Sequence, residues 1–317
     1  MATEVSGRLD GRELGEVGKR RTGIRAWLTR SENARGYLLL SPTSIMVVLL
    51  LILPMLALIA ISFMTQRGFD LDTTLTVNNY ATFFNFSQKP IYITLLMRSL
   101  EMSLTATLLT ILLCYPMAYY LAFHVKKQKV MWLIIITVPF WTSYLLRIFA
   151  WKVILGYDGV INSGLISLGL ITEPLEFLLY NKLAVMITLA HAWIAFALLP
   201  IYVSLEKIDR ALLEAAADLG DSPFRAFWRV TFPLSLPGTI SAALLVFIPT
   251  VGDYVTPQLV GGTDGIMIGN IIRTLFGKVN NAPMGAAVSL MTMLTVTLVV
   301  CAFLGGTTVT RKLLSRV

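Results

Sequence analysis

The chain has 317 residues, of which 56% are hydrophobic and only 14% charged, with a mean hydropathy of +0.73. Soluble domains carry about 25% charged and about 45–50% apolar residues, so this composition excludes an ordinary soluble protein. A net charge of +8 would suit a protein that binds nucleic acid, but the placement of the basic residues fits a membrane topology instead. Both cysteines, Cys114 and Cys301, lie in apolar stretches, which argues against a fold built on disulfides.

Six apolar stretches follow a polar, arginine-rich N-terminal region. We interpret residues 1–36 as a cytoplasmic tail rather than a secretory signal, because the apolar run after them is longer than the core of a signal sequence. Each stretch has about the 20 residues that a helix needs to cross a hydrocarbon core of roughly 30 Å. The sequence therefore predicts an all-α fold with a transmembrane domain at 37–309 and a cytoplasmic C-terminal tail at 310–317. The six predicted spans are Tyr37–Phe63, Ser99–Phe123, Val130–Phe149, Leu183–Leu205, Thr239–Leu259 and Ala286–Thr308.

The fifth of these stretches is the least regular. It is interrupted by Pro249, Gly252, Asp253 and Pro257. Proline and glycine kink or break a helix in a bilayer, where only protein or a water-filled cavity can cover the freed backbone groups. We therefore expect a broken helix here, close to such a cavity.

The distribution of basic residues predicts the orientation, since lysine and arginine accumulate on the cytoplasmic side of membrane proteins. With the N-terminus inside, eighteen of the 26 lysines and arginines lie in the tails and inner loops, and the other eight lie in outer segments. Both termini are therefore expected in the cytoplasm. Because this topology accounts for the positive charge, we expect no nucleic-acid partner.

The longest inner loop, residues 206–237, carries the clearest local signals. Asp209 is a favourable N-cap for a first short helix, and Gly220 is the expected residue after its end, where the backbone turns left-handed. Ser222 is positioned to cap a second helix, with Pro223 in its first turn. The sequence thus predicts two short helices around a tight turn.

Within this loop, the spacing of a few residues resembles a known pattern. The residues are Glu214-Ala215-Ala216, then Gly220, then Val230-Thr231-Phe232-Pro233, where Pro233 is expected to end the second helix. They resemble the EAA loop of permease subunits of ATP-driven, binding-protein-dependent importers, with Val230 and Phe232 in place of the usual isoleucine and leucine. The resemblance covers most of the chain, from about Tyr37 to the last helix.

The resemblance implies a fold, a location and partners. The fold would be that of a type I ABC importer permease in the bacterial inner membrane. Glu214, Ala215, Ala216, Gly220 and Pro233 would form the coupling helix and its turn against a cytoplasmic ATPase, present in two copies. The further partners would be a second, homologous permease, the membrane lipid and a periplasmic solute-binding protein facing the outer segments 64–97 and 150–182.

This chain lacks the residues that would bind ATP. A P-loop requires a glycine five positions before its Gly-Lys pair, and before the pairs at 18–19 and 277–278 that position holds Glu13 and Ile272. ATP and magnesium are therefore expected on the separate ATPase. The chain is expected to hold no cofactor, metal or catalytic residue of its own, since its two histidines lie on different predicted helices.

A finer resemblance concerns the cargo. The stretches that begin at Tyr37, Tyr115, Gly159, Gly252 and Met267 resemble spermidine/putrescine-type permeases, most of all the first of the two permeases in such systems. The same subfamily includes importers of other small solutes, such as amino acids, opines or thiamine. The alternative outside the family is an autonomous ion-coupled carrier, although such a carrier would be expected to have ionisable residues within several spans.

A polyamine cation would need carboxylates and aromatic faces along its path. Asp253, beside Tyr254 in the irregular fifth stretch, is the first candidate, and Trp141 and Tyr144 could add aromatic lining. Asp253 could instead be an exposed carboxylate at a helix end or a partner of Arg147. The aromatic residues could equally belong to an interfacial belt or to the core.

Overall fold

The computed structural model describes residues 32–68, 70–85 and 90–314. The chain divides into two units, one ending at Leu58 and the other beginning at Ile59. Most of the predicted N-terminal tail and the last three residues lie outside the described part of the chain.

The first unit is a single helical rod. Helix α1 (Glu32–Val47) passes through a π-helical turn (Val48–Ile52) into α2 (Leu53–Ser62), whose last residues belong to the second unit. Helix α1 includes the last five residues of the predicted tail, 32–36. Its apolar side chains from Tyr37 onward are exposed, as expected of a helix whose surroundings are lipid or another protein chain.

The second unit begins with a two-stranded antiparallel hairpin, β1 (Thr65–Arg67) and β2 (Asp70–Asp72), which is a small addition to an otherwise helical fold. Its helices are α3 (Asn78–Phe83), α4 (Ile91–Phe123), α5 (Lys129–Thr137), α6 (Tyr144–Leu155), α7 (Val160–Ser167), α8 (Lys182–Ala192), α9 (Ile194–Glu206), α10 (Arg210–Asp218), α11 (Pro223–Ala226), α12 (Phe232–Val251), α13 (Val255–Val260), α14 (Ile268–Gly277) and α15 (Ala282–Leu314). Short 3₁₀ turns occur at Val138–Trp141 and Glu176–Leu178, and a π-helical turn occurs at Phe227–Thr231.

The predicted all-α membrane architecture is confirmed. In the described part of the chain, four helices are long and apolar enough to cross a bilayer: Gly36–Ser62, Ile91–Phe123, Pro223–Val251 and Ala282–Thr307. Two bent helix pairs raise the number to six if each pair forms one span. These pairs are Lys129–Trp141 with Tyr144–Ser167, bent by 84°, and Lys182–Ala192 with Ile194–Glu206, bent by 50°.

The fifth predicted span has different bounds in the structure. The helix runs from Pro223 to Val251, and the next helix begins at Val255, so the expected break lies at Gly252 and Asp253 and not at Pro249. Pro233 does not end the second short helix either. It lies in the first turn of α12, where a missing N–H costs little, because the preceding π-helical turn already departs from the regular α-helical hydrogen bonds.

Three apolar clusters form the core of the second unit. The first joins α4, α9 and α12 around Cys114, Ile201 and Val246. The second joins α4, α6 and α8 around Met102, Ile148 and Leu189. The third joins α4, α14 and α15. Because α4 contributes to all three clusters, it is the central helix of this unit, and the two bent spans and the long helix α12 pack against it.

Candidate functional site

The coupling segment, residues 206–237, is built by the local signals that its sequence predicts. Asp209 accepts a hydrogen bond from the backbone N–H of Ala211 at 3.0 Å and caps α10. Ser222 accepts a hydrogen bond from the N–H of Arg225 at 3.4 Å and caps α11, with Pro223 in the first turn. Both predicted caps are therefore confirmed.

Gly220 forms the turn between these two helices. Its φ of +85° lies in the left-handed region, as predicted. The N–H of Gly220 donates to the carbonyl of Ala217 at 2.9 Å, and the N–H of Asp221 donates to that of Ala216 at 3.0 Å. This pair of bonds is the Schellman ending of a helix. An ion pair between Asp221 and Arg229, at 3.0 Å, closes the turn on its other side.

Most of the coupling segment's surface is uncovered. Glu214 and Ala215 are exposed, whereas Ala216 is buried against the following helix. Large apolar side chains are also exposed beside them: Leu212, Leu219, Phe224 and Trp228, with Leu219 88% exposed. An uncovered patch of this kind on a short amphipathic helix is typical of a surface that binds another protein.

The segment is firmly attached to the membrane-spanning helices. Tyr115 on α4 and Ser235 on α12 share a buried hydrogen bond of 2.7 Å. At Gly238, an added Cβ would lie 2.3 Å from the Cβ of Ser204, so α9 and α12 can approach this closely only because a glycine stands there. At the other end of the segment, Lys129 bonds to Glu206 at 2.8 Å and to the carbonyl of Ala122 at 2.8 Å.

A second polar site, the Asp253 network, consists of Tyr144, Asp253 and Thr256. One oxygen of Asp253 accepts hydrogen bonds from the hydroxyl of Tyr144 at 2.6 Å and of Thr256 at 2.5 Å. The other accepts from the N–H of Val255 at 2.8 Å, at the start of α13. Among the described residues Asp253 forms no ion pair, so the alternative of a bond to Arg147 is wrong. The carboxylate is therefore well held, and no basic side chain in the described ranges forms an ion pair with it.

The structure brings together only part of the predicted pathway. Tyr144 donates a hydrogen bond to Asp253, whereas Trp141 is 83% exposed. The ring of Tyr254 faces the guanidinium of Arg273, 5.0 Å from its centre. Thr256, buried and bonded to Asp253, was missed, although its position three residues after a capping aspartate could have indicated it.

Close backbone packing holds the Asp253 turn in place. At Gly269, in the first turn of α14, an added Cβ would lie 2.5 Å from the carbonyl oxygen of Gly252 and 2.8 Å from that of Asp253. The side chain of Asn270 also donates to the carbonyl of Tyr254 at 2.9 Å. Helix α14 therefore supports the turn directly, through contacts that need a glycine.

Comparisons with known proteins agree with this architecture. Residues 114–314 match the family described as the binding-protein-dependent transport system inner membrane component. The chain is 38% identical to the spermidine/putrescine transport system permease protein PotB of Haemophilus influenzae, over 75% of this chain and 82% of that protein. It is also 38% identical to PotB of Escherichia coli K12, over 77% of this chain and 87% of that protein.

A comparison with solved structures identifies the fold. The chain aligns with a TM-score of 0.63 and 18% identity to a chain of the crystal structure of a bacterial ABC transporter involved in the import of the acidic polysaccharide alginate. The alignment covers 87% of this chain and 96% of that one. The protein belongs to the family of inner membrane components of binding-protein-dependent transport systems. It is therefore a multi-pass transport permease of the inner membrane, and not an enzyme.

Proposed function

We propose that this protein is a permease subunit of an ATP-driven importer of polyamines such as spermidine and putrescine. The observation that carries the proposal is the 38% identity to PotB proteins over three quarters of the chain. The likeness to the alginate transporter does not bear on the cargo, since that transporter imports a polyanion on the same fold.

The proposed assembly has two faces. On the cytoplasmic side, two copies of an ATPase bind ATP and magnesium, one of them against the exposed patch of the coupling segment. On the outer side, a solute-binding protein delivers the cargo, and a second, homologous permease completes the pore. Both termini lie in the cytoplasm, an orientation supported by the excess of basic residues in the tails and inner loops.

The proposed mechanism is alternating access, in which closure of the ATPase dimer rotates the membrane helices. The contacts of this chain suit it to transmit such a motion. Helix α11 continues through the π-helical turn into α12, so a displacement of the coupling segment is carried along one continuous helix to Val251. Asp253 lies two residues beyond that end, and the movement therefore reaches the proposed cargo site.

Asp253 is the proposed contact for the cationic cargo. Its oxygens accept hydrogen bonds from hydroxyl and N–H donors, which hold the carboxylate in place without neutralising its charge. A polyamine ammonium group would supply the missing positive charge. Tyr254 and Trp141, which are exposed, remain predicted aromatic contacts on the path.

The cargo is tested by titrating the partner solute-binding protein with putrescine, spermidine, amino acids, sugars and thiamine in a calorimeter. That protein is expected to select the solute, so tight binding of a polyamine and no binding of the other solutes is the expected result. Binding restricted to a neutral or anionic solute would overturn the polyamine proposal and return Asp253 to a purely structural role.

A further inference from the structure

Each of the two bent spans has a break between its helices, and the side chain of Arg147 bonds to the backbone at both breaks. The first break separates Trp141 from Tyr144, and the second lies at Trp193, between α8 and α9. Carbonyl groups at the end of a helix have no N–H within the helix to accept from. In a bilayer, these groups need another donor from the protein, because water is not available.

At the second break, three side chains approach three carbonyls. The hydroxyl of Thr110 bonds to the carbonyl of Ala106 on its own helix at 2.7 Å and also lies 3.1 Å from the carbonyl oxygen of Ala190. The thiol of Cys114 donates to the carbonyl of Ile194, the first residue of α9, at 3.3 Å. Both side chains belong to α4, the central helix. Between these two carbonyls, the guanidinium of Arg147 donates to the carbonyl of Ala192 at 2.8 Å.

At the first break, the same guanidinium supplies the donors. Its second terminal nitrogen donates to the carbonyl of Phe140 at 2.6 Å and to that of Thr142 at 3.1 Å. Its central carbon also lies 5.0 Å from the centre of the Phe140 ring. One side chain on α6 therefore bonds to both breaks.

We propose that Arg147 is a positioning residue that fixes the two breaks relative to each other, and thereby sets the Asp253 network. Tyr144 lies one turn before Arg147 on α6, and its ring packs edge-on against Trp193, with 6.4 Å between centres. Tyr144 also donates to Asp253. Arg147 therefore acts on the cargo site through Tyr144, and this consequence rests on the proposed function.

The role requires arginine rather than any cation. A guanidinium is a planar fork with donors that point in different directions, so it can bond to carbonyls of two elements at once, whereas a lysine ammonium is a compact point charge. Among the described residues, Arg147 has no acidic partner. The guanidinium of Arg147 bonds to backbone carbonyls instead. It therefore does not pair with the carboxylate of Asp253.

The test measures both bends in the assembled importer in lipid nanodiscs, by double electron–electron resonance. One pair of spin labels, at Ile135 and Val153, spans the first break, and a second pair, at Leu183 and Val203, spans the second. All four side chains are exposed. The background carries Cys114→Ser, which keeps a donor to Ile194, and Cys301→Ala.

Arg147→Gln and Arg147→Lys are each expected to broaden the distance distributions of both label pairs. Thr110→Val, which removes a donor at the second break only, should broaden the second pair alone. The matched control is Lys152→Gln, which removes the other positive charge of α6. The ammonium group of Lys152 lies over the ring of Tyr180. This variant should leave both distance distributions narrow. A broadening at one break only in the Arg147 variants, or narrow distributions in Arg147→Lys, would overturn the proposal.

Uptake of spermidine by the same variants, reconstituted in proteoliposomes, tests the consequence for transport. Both Arg147 variants should lower the maximal rate about tenfold, with an unchanged half-saturating concentration of the loaded binding protein, as expected for misplaced groups rather than lost docking. A maximal rate equal to that of the wild type would overturn the positioning role. Because the distances need no cargo, they remain informative if the unaltered importer fails to transport spermidine, a result that contradicts the proposed function alone.

Discussion

The coupling segment and the Asp253 network are built in opposite ways. In the coupling segment, the contacts that shape the two short helices and their turn join residues fewer than ten positions apart: a capping aspartate, a capping serine and a left-handed glycine. In the Asp253 network, Tyr144 and Asp253 are separated by 109 positions, and the turn is held by a glycine of a later helix.

The difference corresponds to what each region has to do. A segment that binds another chain needs an exposed surface on a frame that holds its own shape, and local caps provide this frame. A polar site between packed helices must be shared by several of them, because its polar groups need partners that one helix cannot provide. Substitutions in the first region should therefore act locally, whereas those in the second should disturb several helices together.

The largest effect is expected from Gly220→Val. A β-branched residue at φ +85° is strained, by about 1–2 kcal/mol or more, and the strain would displace the coupling segment. Uptake should be lost while the protein still inserts in the membrane. Gly164→Val is the matched control, since neither glycine has a neighbour within 4 Å of an added Cβ but only Gly220 has a positive φ. Normal uptake by Gly220→Val would refute the assignment of this turn.

Glu214→Lys should weaken binding of the ATPase, because it reverses the charge of an exposed side chain at the proposed contact. Co-purification of the ATPase with the permease measures the effect. Glu173→Lys makes the same change in charge on a predicted outer segment and should leave co-purification unchanged. If both variants retain the ATPase equally, Glu214 lies outside the coupling contact.

Asp253→Asn should reduce spermidine uptake about tenfold, or about 1.4 kcal/mol in the barrier, with the complex intact. Tyr144→Phe is the complementary variant, since it removes the 2.6 Å hydrogen bond to Asp253 but keeps the carboxylate charge. A larger loss in Asp253→Asn than in Tyr144→Phe indicates that the charge contacts the cargo. Equal losses would mean that Asp253 only supports the fold.

Gly269→Ala should reduce uptake several-fold, because the new methyl group would lie 2.5 Å from the carbonyl oxygen of Gly252 and push the Asp253 turn away. Such overpacking costs about 1–3 kcal/mol. Gly277→Ala, at the other end of the same helix, meets nothing within 4 Å and should be neutral. Equal uptake by the two variants would show that α14 does not hold the Asp253 turn in place.

The smallest effect is expected at the hairpin. Hydrogen bonds from the hydroxyl and N–H of Thr74, with the ion pair to Arg67, lower the pKa of Asp72 below its usual 3.8. A lowered pKa contributes stability above the unfolded-state pKa and loses it as pH falls through the folded-state value. The protection factors of the hairpin amides, which remove the intrinsic pH dependence of exchange, should therefore stay constant between pH 5 and 8 and fall only below about pH 4. A fall in protection near pH 6 would contradict this account.

The sequence predicted the two regions unequally, for physical reasons. Capping and left-handed turns depend on residues close in the chain, so Asp209, Gly220 and Ser222 could be placed correctly. Pro233 was misjudged because its effect depends on the π-helical turn before it, which no local pattern indicates. The meeting of Tyr144 with Asp253, and of Arg147 with two helix breaks, depends on helix packing and could not be predicted from spacing.

ATP-driven uptake of radiolabelled spermidine by the complete importer in proteoliposomes tests the central claim most directly. The complete importer contains this permease, its partner permease, the ATPase and the binding protein. We predict that its uptake of spermidine requires both ATP and this chain, and that unlabelled putrescine reduces this uptake by competition. Uptake of spermidine that persists without this chain, or none with all components present and ATP being hydrolysed, would contradict the proposed function.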